Sequence, residues 1–207
     1  MISIKTPPYV SWTHRLSRLL VRPMLGTRIT PNNLTTGRLV TGIAACAAFL
    51  PGDPGWDLWG GVLWLVSCLL DRADGELARL SGASSEWGHR YDYYCDVVVN
   101  SLFFLAIGIG LRNSDLGGWA VVLGALSGMS VAVASVWSEQ FEKLSDGSDK
   151  AYAGILGFDF DDILYLFGPA AWFGLFPYIL VGASVGAPIM ALLTWVRLVR
   201  LRGRRAG

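Results

Sequence analysis

Long apolar runs broken by short polar connectors set the pattern of this chain, and the runs are too continuous to be single faces of soluble helices. They predict membrane-spanning helices over 34–50, 58–80, 88–111 and 116–138, followed by an uncharged tract over 163–196. One helix crosses the hydrocarbon core, about 30 Å thick, with about 20 residues, so this last tract is expected to hold two spans. Pro177, Gly182 and Gly186 offer places for it to turn. The pattern therefore predicts an all-α integral membrane protein with six transmembrane helices. Upstream, "YVSWTHRLSRLLVRPML" places Trp12, Leu16, Leu19, Leu20 and Met24 toward one face and His14, Arg15, Arg18 and Arg22 toward others. This predicts an N-terminal amphipathic helix on the anionic cytoplasmic surface, with His14 facing water rather than taking part in chemistry.

Composition agrees: 53% of residues are hydrophobic, nine are tryptophan and the mean hydropathy is +0.44. A single membrane domain is expected over 1–207, with 1–30 interfacial, 31–200 forming the six-helix unit and 201–207 a basic tail. Lys5, Arg15, Arg18, Arg22, Arg28 and Arg38 lie at one end, and Arg197, Arg200, Arg202, Arg204 and Arg205 at the other. Connectors 51–57 and 177–186 hold no lysine or arginine. By the positive-inside rule both termini then face the cytoplasm, as an even number of spans requires, which places the chain in the inner (cytoplasmic) membrane. The net charge of +1 points to no nucleic-acid partner. Cys46, Cys68 and Cys95 stand singly, without zinc or disulfide spacing, and the N-terminus lacks the short apolar core and cleavage site of a secretory signal.

Between two apolar runs, "DRADGELARLSGASSEWGHRYDYYCD" (71–96) carries four aspartates. On helices, Asp71, Asp74 and Ala78 share a face, as do Asp92 and Asp96. At about 1.5 Å per residue, Asp71 lies about 13 Å back from the end of the second span and Asp96 about 12 Å into the third. Asp74 and Asp92 match at a shallower level, so a helical hairpin would gather all four on the cytoplasmic side. Helix-end ion pairing would explain any one of these charges, but not aspartates on two helices at matching depth. Clustered carboxylates repel unless a cation neutralises them, and hard oxygen donors suit Mg2+, Mn2+ or Ca2+. A divalent ion with open positions would bind phosphate oxygens. Gly75 and Gly88 clear side chains where a ligand approaches, Ala78 leaves volume for a base or sugar, and Arg79 can fork onto phosphate.

These residues fill the pattern D-x2-D-G-x2-A-R-x8-G-x3-D-x3-D with Asp71, Asp74, Gly75, Ala78, Arg79, Gly88, Asp92 and Asp96. The chain thereby resembles the CDP-alcohol phosphotransferase family, and "TPNNLTTGR" (30–38) resembles that family's segment ahead of the first span. The resemblance implies metal-dependent transfer of a phosphatidyl group from CDP-diacylglycerol to a small alcohol, with release of CMP, in phospholipid synthesis. It implies two Mg2+ or Mn2+ ions held by Asp71, Asp74 and Asp92, with Asp96 completing a second metal position or deprotonating the acceptor. It implies a CDP pocket of Asp71, Asp74, Gly75, Ala78, Arg79 and Gly88, with Pro31, Asn32 and Thr35, and a homodimer among membrane lipids.

The acceptor is not legible from these residues. A phosphorylated alcohol would need basic side chains outside the motif, and the cytoplasmic candidates are Arg38, Arg72, Arg90, Lys143 and Lys150. The connector bearing both lysines also holds Glu139, Glu142, Asp146, Asp149, Asp159, Asp161 and Asp162, which reads first as a solvated acidic loop and otherwise as a mouth that disfavours an anionic acceptor. Asp161 or Asp162 is expected to cap the fifth helix or line the acceptor's path. "DGELAR" is similar to members that use CDP-inositol as a soluble donor with a lipid acceptor, which is the alternative reaction. A divalent-cation transporter is the alternative of a different class, weakened by Arg79 beside the aspartates and by their placement toward one side.

Overall fold

The computed structural model describes residues 12–145 and 160–206, so Lys5, Asp146, Asp149, Lys150 and Asp159 lie outside the described residues. The side chains of Trp12 and Asp161 lie outside them too. Among the described residues every regular element is a helix: α1 Trp12–Val21, α2 Pro31–Phe49, α3 Pro54–Ser81, α4 Glu86–Gly110, α5 Trp119–Leu144, α6 Phe167–Trp172 and α7 Phe176–Ala206, with short 3-10 segments between them. A 3-10 helix, Phe160–Leu166, leads directly into α6. Three helices are long and apolar enough to cross a membrane: Glu86–Asn113, Trp119–Leu144 and Phe176–Arg205. α2 and α3 fall outside that group.

The tract over 163–196 does break once, but not at Pro177, Gly182 or Gly186. Residues 173–175 make the turn around Gly174, whose φ of 64° suits a residue without Cβ. Pro177 sits in the first turn of α7, where its missing N–H costs nothing, and Gly182 and Gly186 are ordinary helical residues. The expected connector at 177–186 is therefore helix, and the expected tail at 201–207 is largely the last turns of α7.

The segment 160–172 lies along α3, antiparallel to it. Arg72 Nη2 donates to Asp162 at 3.3 Å, Tyr165 Oη to Cys68 O at 2.8 Å, Trp64 Nε1 to Leu164 O at 2.9 Å, and Trp172 Nε1 to Leu58 O at 3.1 Å. These contacts span 15 residues of α3, from Leu58 to Arg72, about 21 Å of rise. The tips of Trp64 and Tyr165 thus find partners inside the bundle.

The largest core cluster surrounds Phe103, with Trp64 at 4.3 Å, a stacked Phe167 at 4.7 Å, and Phe49 and Phe176 edge-on at 5.8 Å. It reaches Cys68 and Val99, each three residues along its helix from a site aspartate, Asp71 and Asp96. Beside it, α4 and α5 touch backbone to backbone: a Cβ added to Gly124 would lie 2.6 Å from Phe104 O and 3.0 Å from Gly108 Cα. Small residues at such seams let membrane helices approach closely.

α1 is present, but its packing differs from a helix facing water with its polar side. Thr13, Ser17 and Val21 are buried, at positions four apart, while Leu16 and Leu19 stay exposed. His14 does not simply face water: its Nδ1 lies 2.9 Å from Glu76 Oε1.

Candidate metal and phosphate site

Three local signals shape the site. Thr30 and Asn33 form a reciprocal capping box that starts α2, with Pro31 in its first turn. Gly82 ends α3 at φ 69°, and Ser85 caps α4 by accepting from Gly88 N at 3.0 Å. This tight hairpin places the C-terminal end of α3 and the N-terminal end of α4 side by side against the start of α2.

The four aspartates fall into two pairs. Asp71, Asp92 and Asp96 each offer an oxygen within 4.8 Å of the others. Asp71 and Asp96 also share Arg38, whose Nε lies 2.6 Å from Asp71 Oδ1 and whose Nη2 contacts Asp96 Oδ1. Asp74 stands outside that cluster and is held from α2, where Thr35 Oγ1 donates to its Oδ2 at 2.5 Å. Asp74 and Asp92 both line a cavity of about 290 Å³. The depth matching expected from rise per residue is thus seen as a deep pair on Arg38 and a shallow pair on the cavity.

The same cavity takes in Pro31, Asn32, Thr35, Gly75, Ala78, Arg79 and Gly88. Of the residues expected around a CDP group, all but Asp71 line it. Gly75 lies beneath the Arg79 guanidinium, whose Nη1 would be 3.4 Å from a Cβ there. Gly88 faces Asn32, whose Oδ1 would lie 3.1 Å from a Cβ. Sequence reading missed Ala83, Ser84, Ser85 and His89, which complete the wall. The signal for them was a small-residue turn ending in a helix-capping serine three places before Gly88.

Arg38 is a second departure. It was a candidate for holding an acceptor phosphate, yet it is 3% exposed and spans the deep aspartates as their buried counter-charge. Asp162 likewise does not stand open: it is 5% exposed and accepts from Thr13 at 2.7 Å and Arg72 at 3.3 Å.

The donor set fits a hard divalent ion. Ionised carboxylates only accept, and Asp92 Oδ1 is buried with no hydrogen-bond partner among the described residues. Such an orphan costs free energy unless a cation or donor meets it. One buried arginine cannot balance four carboxylates. Asp71, Asp92 and Asp96 would hold the metal, with Asp74 at the cavity edge.

Comparison with known proteins places this geometry. The profile of the CDP-alcohol phosphatidyltransferases matches residues 28–199. A phosphatidylinositol phosphate synthase of Corynebacterium glutamicum is 30% identical over 95 residues, 44% of this chain and 42% of that protein. A bifunctional IPC transferase and DIPP synthase of Thermococcus kodakarensis is 29% identical over 118 residues, 57% of this chain and 25% of that protein. The chain thus spans less than half the length of these curated relatives. The fold is similar to Mycobacterium tuberculosis phosphatidylinositol phosphate synthase crystallised with CDP-DAG, with a TM-score of 0.55, 19% identity, and 93% of this chain and 92% of that one covered. A second crystal structure of that enzyme, in complex with manganese and citrate, gives the same TM-score of 0.55 at 20% identity, over 92% and 87% of the two chains.

Proposed function

Because the chain belongs to the CDP-alcohol phosphatidyltransferase family, whose members are transferases, we propose that it moves a phosphatidyl group from CDP-diacylglycerol to a small alcohol and releases CMP. The observation that carries this reading is the single cavity that gathers Asp74, Gly75, Ala78, Arg79, Gly88 and Asp92 with the N-terminal turn of α2. Its volume, about 290 Å³, is at the lower end for small-molecule sites.

In this reading Arg79 forks onto the pyrophosphate, Asn32 and Thr35 flank the nucleotide, and the glycines allow close backbone approach. Asp71, Asp74, Asp92 and Asp96 would hold two Mg2+ or Mn2+ ions, which would supply charge neutralisation at the pyrophosphate and polarisation of the phosphoryl group. Asp96, on the Arg38 side and away from the cavity wall, takes the proton of the attacking hydroxyl. The hydroxyl oxygen bonds to the phosphatidyl phosphorus, the bond to the bridging oxygen breaks, and CMP leaves. α2 to α5, the unit 160–172 and α7 make six crossings, with both termini and the site on the cytoplasmic face and the protein acting as a homodimer.

The acceptor we favour carries no phosphate. Among the described basic candidates, Arg38 and Arg72 are already held in buried ion pairs with carboxylates, which supports this choice. The same pairing, with "DGELAR", supports a second reading in which a soluble CDP-alcohol donates to a lipid hydroxyl.

CMP release by the purified protein, with Mn2+ or Mg2+, decides between them. CDP-diacylglycerol would be offered with serine, ethanolamine, inositol, inositol phosphate or glycerol phosphate, and CDP-inositol with lipid vesicles. Release that needs one unphosphorylated alcohol supports the first reading; dependence on a phosphorylated one overturns the acceptor class; release only from CDP-inositol supports the second. Excess EDTA should abolish release and added Mn2+ restore it. Full activity in EDTA would remove the metal from the reaction.

A further inference from the structure

Glu76 is a motif-gap residue that the reaction above does not use, yet it is 2% exposed and fully engaged. Its Oε1 accepts from Arg79 Nη2 at 3.0 Å and lies 2.9 Å from His14 Nδ1, while its Oε2 accepts from Arg18 Nε at 3.2 Å. One buried carboxylate thus joins two side chains of α1 to the arginine of the cavity. Buried charges survive only when paired in this way.

Helix geometry shows why the link runs through Arg79. Around α3, at 100° per residue, the order is Asp74, Ala78, Gly75, Arg79, Glu76, Ala73, Leu77. The first three line the cavity, and the last two are packed with Val21 in the small core beneath α1. Arg79 sits between these faces, over Gly75 on one side and against Glu76 on the other. α1 has a second anchor, where Thr13 donates to Asp162 at 2.7 Å.

We propose that Glu76 is a positioning residue for the donor site, holding Arg79 over Gly75, and that the docked α1, through His14 and Arg18, sets Glu76. The inference rests on the donor-site reading of the cavity. An arginine with five donors keeps several for phosphate oxygens after giving one to Glu76, and fixing its rotamer beforehand removes an ordering cost from binding.

The test uses the full-length protein in detergent with Mn2+, reading CDP binding directly together with donor KM and kcat. Glu76→Ala, His14→Ala and Arg18→Ala would be made alone and in an Arg79→Ala background. The expected result is a CDP dissociation constant and donor KM raised about three- to tenfold, with kcat within about twofold, as for loss of an immobilised side chain. In the Arg79→Ala background the same substitutions should change neither value. Equal losses in both backgrounds, or a fall in kcat and thermal midpoint with unchanged CDP binding, would make the network purely structural and overturn the proposal. The two α1 variants keep the test open if Glu76→Ala fails to fold. Wild-type protein that binds no CDP would sink the donor-site reading itself, whereas wild-type binding with unaltered variants would sink this inference alone.

Discussion

Asp92→Asn is expected to lose CMP release by about a thousandfold or more while the protein remains folded. Asp92 lies in both halves of the site: it lines the cavity, and its carboxylate belongs to the cluster with Asp71 and Asp96. Its Oδ1 is buried without a hydrogen-bond partner among the described residues, so its charge serves no visible contact within the fold. Asparagine keeps the shape, removes the charge and turns half of a pure acceptor into a donor. The transition-state charge stabilisation that a bound metal supplies is several kcal/mol, and each 1.36 kcal/mol is about a factor of ten in rate, so losing about 4 kcal/mol accounts for a thousandfold fall. Stability should hold or rise, because one of four mutually repelling carboxylates is gone. Mn2+ binding followed by electron paramagnetic resonance, thermal unfolding in detergent and CMP release would be measured together. Near-normal turnover, or unchanged Mn2+ affinity, would take Asp92 out of the metal site.

The aspartates were legible because spacings of three and four residues fix a helical face whatever the helix packs against. Arg38 was not, since an arginine at the start of an apolar run reads as an interfacial charge, and only the tertiary contact with Asp71 and Asp96 reveals a buried counter-ion. α1 shows the same limit. Its leucines mark an apolar face, but sequence alone does not say that Leu16 and Leu19 point outward while small polar Thr13 and Ser17 pack inward. At a membrane surface an apolar face has somewhere to go other than the protein. The break at Gly174 was overlooked for a related reason: Gly182 and Gly186 punctuate the same tract, and in lipid a helix retains its backbone hydrogen bonds through glycine.

Gly124→Val should damage the protein more than any surface change, and through packing rather than chemistry. Gly124 and Gly128 stand four apart on α5, and the Cβ positions they lack would fall 2.6 Å from Phe104 O and 2.5 Å from Ser101 O on α4. A side chain there meets backbone, which cannot rotate away, so the helices must separate. Overpacking a core costs about 1–3 kcal/mol where side chains can adjust, and the upper end or beyond is expected here. The consequence reaches the site because α4 is the helix that carries Asp92 and Asp96, and Ser101 lies little more than one turn beyond Asp96. Separation at this seam tilts those carboxylates away from Asp71 and Asp74 on α3. The thermal midpoint and CMP release should therefore fall together in Gly124→Val, unlike in Asp92→Asn, where only release falls. Gly182→Ala supplies the contrast: its Cβ meets nothing within 4 Å, and alanine in a helix is favoured over glycine by up to about 1 kcal/mol. A Gly124→Val protein as stable and active as Gly182→Ala would show that α4 and α5 do not meet at this seam.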